Sequence, residues 1–189
     1  MVLKLLFTLA VAAWGASEIA MALFMRSRRD ASTRGDRGSL PLLVVVIAGS
    51  AAAGLLLNFQ SSTAITSSET VRWGAALALV LSGVIFRWNA ILTLGSYFTT
   101  NVAIQSDHRL VQEGVYRILR HPSYSGTLLI MTGVALATNN WINAMLVLLP
   151  CTAAIVHRIR IEEAVLLRAF GQDYRTFCRS TKRLIPGLY

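Results

Sequence analysis

At 189 residues, with 54% hydrophobic residues and a mean hydropathy of +0.56, the chain fits a small membrane helix bundle better than a water-soluble domain. The net charge of +9 does not point to nucleic acid, because the arginines gather at 26–37, 109–120 and 158–183, the gaps between apolar runs. The two cysteines, Cys151 in an apolar run and Cys178 in the tail, argue against a disulfide framework, and no CxxC pair is present.

The first apolar run, residues 3–25, is long enough to cross a hydrocarbon core of about 30 Å as a helix. A signal peptide with a small-residue site at Ala20-Met21-Ala22 competes with that reading, but the run continues to Met25. Glu18 lies inside the span and needs a partner facing the bundle interior; a buried hydrogen-bonding role is favoured over catalysis. Residues 26–38 carry five arginines against two aspartates and read as a cytoplasmic loop, which leaves the N-terminus outside. Residues 40–59 form a second span, with Pro41 tolerated in its first turn and the small residues 49–54 allowing close helix approach. Residues 60–70 contain no Lys or Arg, as an external loop should.

A third span runs from about 71 to Gly95 and is interrupted by Arg87, Trp88 and Asn89. We read it as one helix whose cytoplasmic end crosses the interface, with Arg87 snorkelling and Trp88 anchoring. A loop of mixed polarity, 96–112, follows, and the composition divides the chain into a transmembrane scaffold (1–86) and a region carrying the chemistry (87–189), integrated as one domain. Two shorter apolar runs, 125–138 and 141–156, are separated by Asn139-Asn140; they fit an antiparallel hairpin that dips in and returns, with Pro150 kinking its second arm. The basic tail starts as an amphipathic helix, with Gly171 as its C-cap and Pro186-Gly187 ending the order. The fold class is therefore all-α: a polytopic membrane bundle of about five segments, the last two a hairpin, with the C-terminus cytoplasmic.

Three cytoplasmic pieces hold most of the chemically capable groups: 107–111, 116–124 and 158–163. Arg120-His121-Pro122-Ser123-Tyr124 sets a cation, an imidazole and a phenol just before an apolar segment. Arg158 and Glu162, four residues apart, share a helix face, a spacing that serves a structural salt bridge or a functional pair equally. His108, His121 and His157 lack HExxH spacing and a cysteine pair, so no metal site is expected. GxSxG, GxGxxG and Walker signatures are absent.

The order RLVQEGVYRILRHPSYSG, an apolar hairpin, then RIRIEEAVLLRAFGQDYRTFCRSTKRLIP resembles the isoprenylcysteine carboxyl methyltransferase family of integral membrane enzymes. RHPxYxG is Arg120 to Gly126, EExxL is Glu162 to Leu166, the tail matches FGxxYxxY except at its last aromatic, and Leu94-Gly95-Ser96-Tyr97-Phe98 resembles the family's LGxxF segment. The resemblance covers residues 87–189 and implies a cytoplasmic S-adenosylmethionine pocket closed by the tail, with a lipophilic substrate entering from the bilayer. It implies that His108, Arg109, Leu110 and Val111 line the cofactor and that Tyr116 meets the adenosine. His121, Pro122, Ser123 and Tyr124 would then hold the methionine end and Glu162 a cofactor hydroxyl or amine. Arg158 falls at the family's substrate-binding arginine, the residue on which catalysis is placed, with Glu163 beside it at the acceptor.

A carboxylate acceptor is already ionised at neutral pH and needs only a cation such as Arg158, whereas an amine acceptor would need a proton acceptor, His121 or Glu163. The alternatives are a phospholipid N-methyltransferase, an NADPH-dependent reductase of sterol-reductase type using Arg109, Arg117 and Arg120 for the phosphate, and a non-enzymatic protein binding anionic lipid. The small, Ala- and Arg-rich chain reads as a prokaryotic inner-membrane protein, and its oligomeric state is left open.

Overall fold

The computed structural model describes residues 1–26, 39–56, 64–65, 68–97 and 110–189. Among them it is helical throughout: α1 (Val2–Arg26), α2 (Ser39–Leu56), α3 (Glu69–Leu94), α4 (Pro122–Ala137) and α5 (Trp141–Ser180), with short 3-10 turns at Gly95–Tyr97 and Gly114–Arg117. Three helices are long and apolar enough to cross a membrane: α1 over Val2–Met21, α3 and α5. The apolar α2 segment Ser39–Gly54 and the 16-residue α4 fall short of that length.

The bundle is organised around α3 and α4. A Cβ on Gly126 would lie 2.7 Å from the Gly83 carbonyl and 2.8 Å from the Arg87 backbone nitrogen, and one on Gly133 would lie 2.7 Å from the Ala76 carbonyl. These glycines stand seven residues apart, and Gly83 and Ala76 match them on α3, so small residues recur along one seam and let the two backbones touch. Val80, Ile130, Met131 and Val134 fill the seam, and Val147, Cys151, Ile155 and Ile159 of α5 continue the same core. Helix α2 lies against α5, where Gly54 meets the Val147 side chain, while α1 rests on α3 with the Phe7 ring 5.4 Å from Trp73 in a tilted contact. Outward faces carry exposed Leu5, Leu9, Val44, Ile85, Met145 and Leu149, as lipid-facing surfaces do.

The structure changes the expected hairpin in two ways. Its second arm is not a 16-residue dip but the start of a helix that runs unbroken from Trp141 to the kink at Gly171 and resumes to Ser180; the stretch before the kink alone is roughly 45 Å long at 1.5 Å per residue, well beyond the hydrocarbon thickness of about 30 Å. The apolar half can lie in lipid and the charged half, from Arg158 onward, extends past it. Pro150 sits inside this helix without leaving helical φ/ψ, and the break occurs instead at Gly171, with φ 51° and ψ −115°. Gly171 therefore ends the first helical stretch, as expected, and a second begins directly after it across a kink. Gly tolerates this positive φ without the Cβ clash that other residues meet.

After Ser180 the chain turns back along the segment preceding α4. The Arg120 amide donates to the Lys182 carbonyl (2.7 Å), the His121 amide to Arg183 (3.1 Å) and the Lys182 amide to Ile118 (3.0 Å). The Ser125 hydroxyl donates to the Leu184 carbonyl at 2.6 Å. Residues 118–121 and 182–184 are thereby strapped together at the mouth of α4.

Candidate functional site

Pro122 opens α4 at its first position, where it has no amide to leave unsatisfied, and restricts the residue before it. His121 stands as the N-cap with non-helical φ −126° and ψ 55°, its ring turned inward and only 6% exposed. One turn into α4, Tyr124 points the same way and donates its hydroxyl to Glu162 Oε1 at 2.5 Å. From α5, Arg158 Nε donates to the same oxygen at 3.0 Å and approaches the Tyr124 oxygen at 3.4 Å. His121 Nδ1 lies 3.5 Å from Glu162 Oε2. Glu162 is thus the centre of a largely enclosed cluster made by both arms of the hairpin.

The neighbouring carboxylate, Glu163, faces the strap. Arg183 donates to it at 2.7 and 2.9 Å, Arg120 Nε at 3.0 Å, and His121 Nε2 lies 3.5 Å away without forming a hydrogen bond. Arg120 Nη1 also reaches the carbonyls of Cys178 and Thr181. Glu163, expected at the acceptor, is engaged in closing the tail onto the hairpin. Burial opposes the His121 cation, but the carboxylates of Glu162 and Glu163 on either side of the ring prevail, and its pKa is raised above the ordinary histidine value.

Arg158 is only 1% exposed. Its remaining Nη1 donates to Ser39 Oγ at the start of α2, so three helices converge on this guanidinium. The sequence reading divided donor chemistry at His121–Tyr124 from acceptor chemistry at Arg158 across the hairpin. In the structure they are in direct contact. Tyr116, in the Gly114–Arg117 turn, is buried, and burial together with the Glu162 charge raises its phenol pKa well above the usual tyrosine range. Ser123 is buried against α3, and Pro122 is fully enclosed. Leu110 and Val111 are half-buried on the chain leading to the turn. His108 and Arg109 lie outside the described residues.

Sequence reasoning missed one group beside this cluster. Arg87, expected to snorkel into the interface, turns inward and makes a bidentate pair with Glu18, 2.5 Å from Nε to Oε1 and 2.6 Å from Nη2 to Oε2. Trp14 Nε1 donates to Glu18 Oε1 at 3.0 Å. The interior partner expected for Glu18 is therefore present. The signal available in the sequence was an acid and a base at matching depth in two separate spans.

The cluster suits a ligand with a cationic end: Glu162 offers an anion to an ammonium or sulfonium, while Glu163 is already held by Arg120 and Arg183, and His121 keeps a buried Nε2 that makes no hydrogen bond. Among the described residues, no group of three or more His, Cys, Asp and Glu side chains is arranged to hold a metal ion.

The family model described as the isoprenylcysteine carboxyl methyltransferase (ICMT) family matches residues 76–168. The chain is 36% identical over 112 residues to protein-S-isoprenylcysteine O-methyltransferase B of Arabidopsis thaliana, covering 58% of this chain and 57% of that protein. It is 32% identical over 133 residues to the protein-S-isoprenylcysteine O-methyltransferase of Schizosaccharomyces pombe, covering 69% and 53%. The solved structure of the eukaryotic intramembrane Ras methyltransferase ICMT aligns with a TM-score of 0.57 at 28% identity, over 78% of this chain and 53% of that one. The chain spans a little over half the length of these curated relatives. They are eukaryotic and lend the prokaryotic expectation no support.

Proposed function

Because residues 76–168 match the model of the isoprenylcysteine carboxyl methyltransferase family, we propose that this protein is an integral membrane enzyme transferring a methyl group from S-adenosylmethionine to the carboxylate of a lipophilic, isoprenylcysteine-like acceptor. The observation that carries the reading is the Glu162 cluster, where Tyr124, Arg158 and His121 meet one partly buried carboxylate at 2.5, 3.0 and 3.5 Å. Bound there, the donor supplies an electrophilic methyl on a cationic sulfur, which leaves as a neutral thioether.

The chain's residues have the remaining tasks. Glu162 holds the ammonium of the donor's amino-acid end, with Tyr124 fixing the carboxylate's orientation, and His121 donates toward its carboxylate. Tyr116 and Pro122 supply apolar walls, with Ser123 between them, and His108, Arg109, Leu110 and Val111 complete the adenosine side. Arg158 shifts a donor from Tyr124 or Ser39 to the acceptor carboxylate, which needs orientation and no general base. Glu163 acts at one remove, keeping Arg120 and Arg183 on the strap so that water is excluded. The 1–86 segment serves as scaffold and carries the lipid-facing entry, with the pocket at the cytoplasmic end.

The reductase reading is less well supported. It needs guanidinium groups available for a cofactor phosphate, and Arg120 is committed to Glu163 and two backbone carbonyls. A thermal-shift titration of the purified chain decides between them. S-adenosylhomocysteine is expected to raise Tm by several degrees and NADPH to leave it unchanged; stabilisation by NADPH alone would overturn the reading.

A further inference from the structure

We propose that Arg87 is a positioning residue for the methyl-donor pocket, acting through Ser123 and held in place by Glu18; this rests on the methyltransferase reading above. The guanidinium divides its donors between two helices. Nε and Nη2 are taken by the two oxygens of Glu18 on α1, at 2.5 and 2.6 Å. Nη1 points the other way, into the first turns of α4, where it meets Ser123 Oγ at 2.6 Å, Thr127 Oγ1 at 3.2 Å and the Ser123 carbonyl at 3.3 Å.

A brace between α1 and α3 would need only the Glu18 contacts. The Nη1 contacts fall on the residue between Pro122 and Tyr124, next to the Glu162 cluster. A serine hydroxyl has one proton and two lone pairs, so accepting a charge-assisted bond from Arg87 leaves its O–H to donate to a bound ligand. Arg87 thereby selects the rotor state in which Ser123 is a donor, as the anionic end of an amino acid requires. The backbone holds the geometry as well: Gly126 packs so closely on Arg87 that its Cβ would stand 2.8 Å from the Arg87 nitrogen. Glu18 neutralises the cation at membrane depth, where an unpaired charge is not tolerated.

The test separates positioning from bracing. In Glu18→Gln/Arg87→Gln no buried charge is left unpaired, so Tm is expected within a few degrees of wild type. The KM for S-adenosylmethionine and the dissociation constant for S-adenosylhomocysteine should both rise about tenfold, the loss of one charge-assisted contact, with kcat changed less than threefold. Arg87→Lys, which keeps the charge and the Glu18 pair but cannot span to Ser123, is expected to show the same split with a wild-type Tm. Should the double variant fail to fold, Arg87→Lys decides alone. Wild-type donor affinity in either folded variant would overturn the proposal and leave a brace. If the unmutated protein neither binds S-adenosylhomocysteine nor transfers methyl, the methyltransferase reading itself falls, and with it the proposed role of Arg87.

Discussion

Glu162 is a carboxylate whose partners are all donors, and its environment decides what single substitutions should do. Tyr124→Phe removes one charge-assisted bond, about 1.5–3 kcal/mol, so affinity for S-adenosylhomocysteine should fall by roughly 10- to 100-fold in calorimetry with the fold retained. Arg158→Ala is a poorer probe, because it leaves the buried Glu162 without its cation, and breaking a buried pair destabilises by about 3–5 kcal/mol. Arg158→Lys keeps the charge and loses the bidentate fork; turnover should fall about a hundredfold while donor affinity changes less than threefold. For His121, the raised pKa gives a definite sign. Its contribution to stability is fully present below the ordinary histidine pKa and is lost as pH rises through its higher folded value. Thermal melts should show wild type losing stability on the alkaline side of that window, and His121→Gln should flatten this loss.

At the scale of elements, the α3–α4 seam is the most sensitive contact in the molecule. Gly126→Ala forces a Cβ to within 2.7 Å of the Gly83 carbonyl, and neither backbone can yield as a side chain would. Overpacking of this kind costs about 1–3 kcal/mol, and because Arg87 lies at the same contact, denaturation midpoint and donor affinity should fall together. The sequence made the helices legible because apolar runs and their polar ends are local signals: the expected span from 71 to Gly95 is α3 over Glu69–Leu94, and the Asn139-Asn140 turn separates α4 from α5. The Arg158–Glu162 bond was legible for the same reason, being four residues apart on one helix. The Glu18–Arg87 pair spans 69 positions and the Arg120–Glu163 pair 43, and neither leaves a periodic trace. Gly171 was legible as a stop because positive φ is common at helix ends; the helix does break there, and what the local signal did not show is that a second helix follows at once.

Taken whole, the molecule joins a membrane-embedded half to a polar half through one long helix, α5, and closes the polar half with a strap of residues 181–189. That strap is held by Glu163, Arg120 and Arg183 with backbone pairing to 118–121. Glu163→Gln should loosen it, visible as faster proteolysis after Arg179 or Lys182 and as a raised KM for the donor with little change in the melting of the membrane helices. The central claim is a methyl group transferred to a lipophilic carboxylate, and it is tested most directly by following label. With methyl-tritiated S-adenosylmethionine and a prenylated cysteine in lipid nanodiscs, the account predicts radioactivity in a lipid-soluble product that base hydrolysis releases as volatile methanol, lost in Arg158→Lys. Label in a base-stable product would contradict it and identify an amine as the acceptor instead.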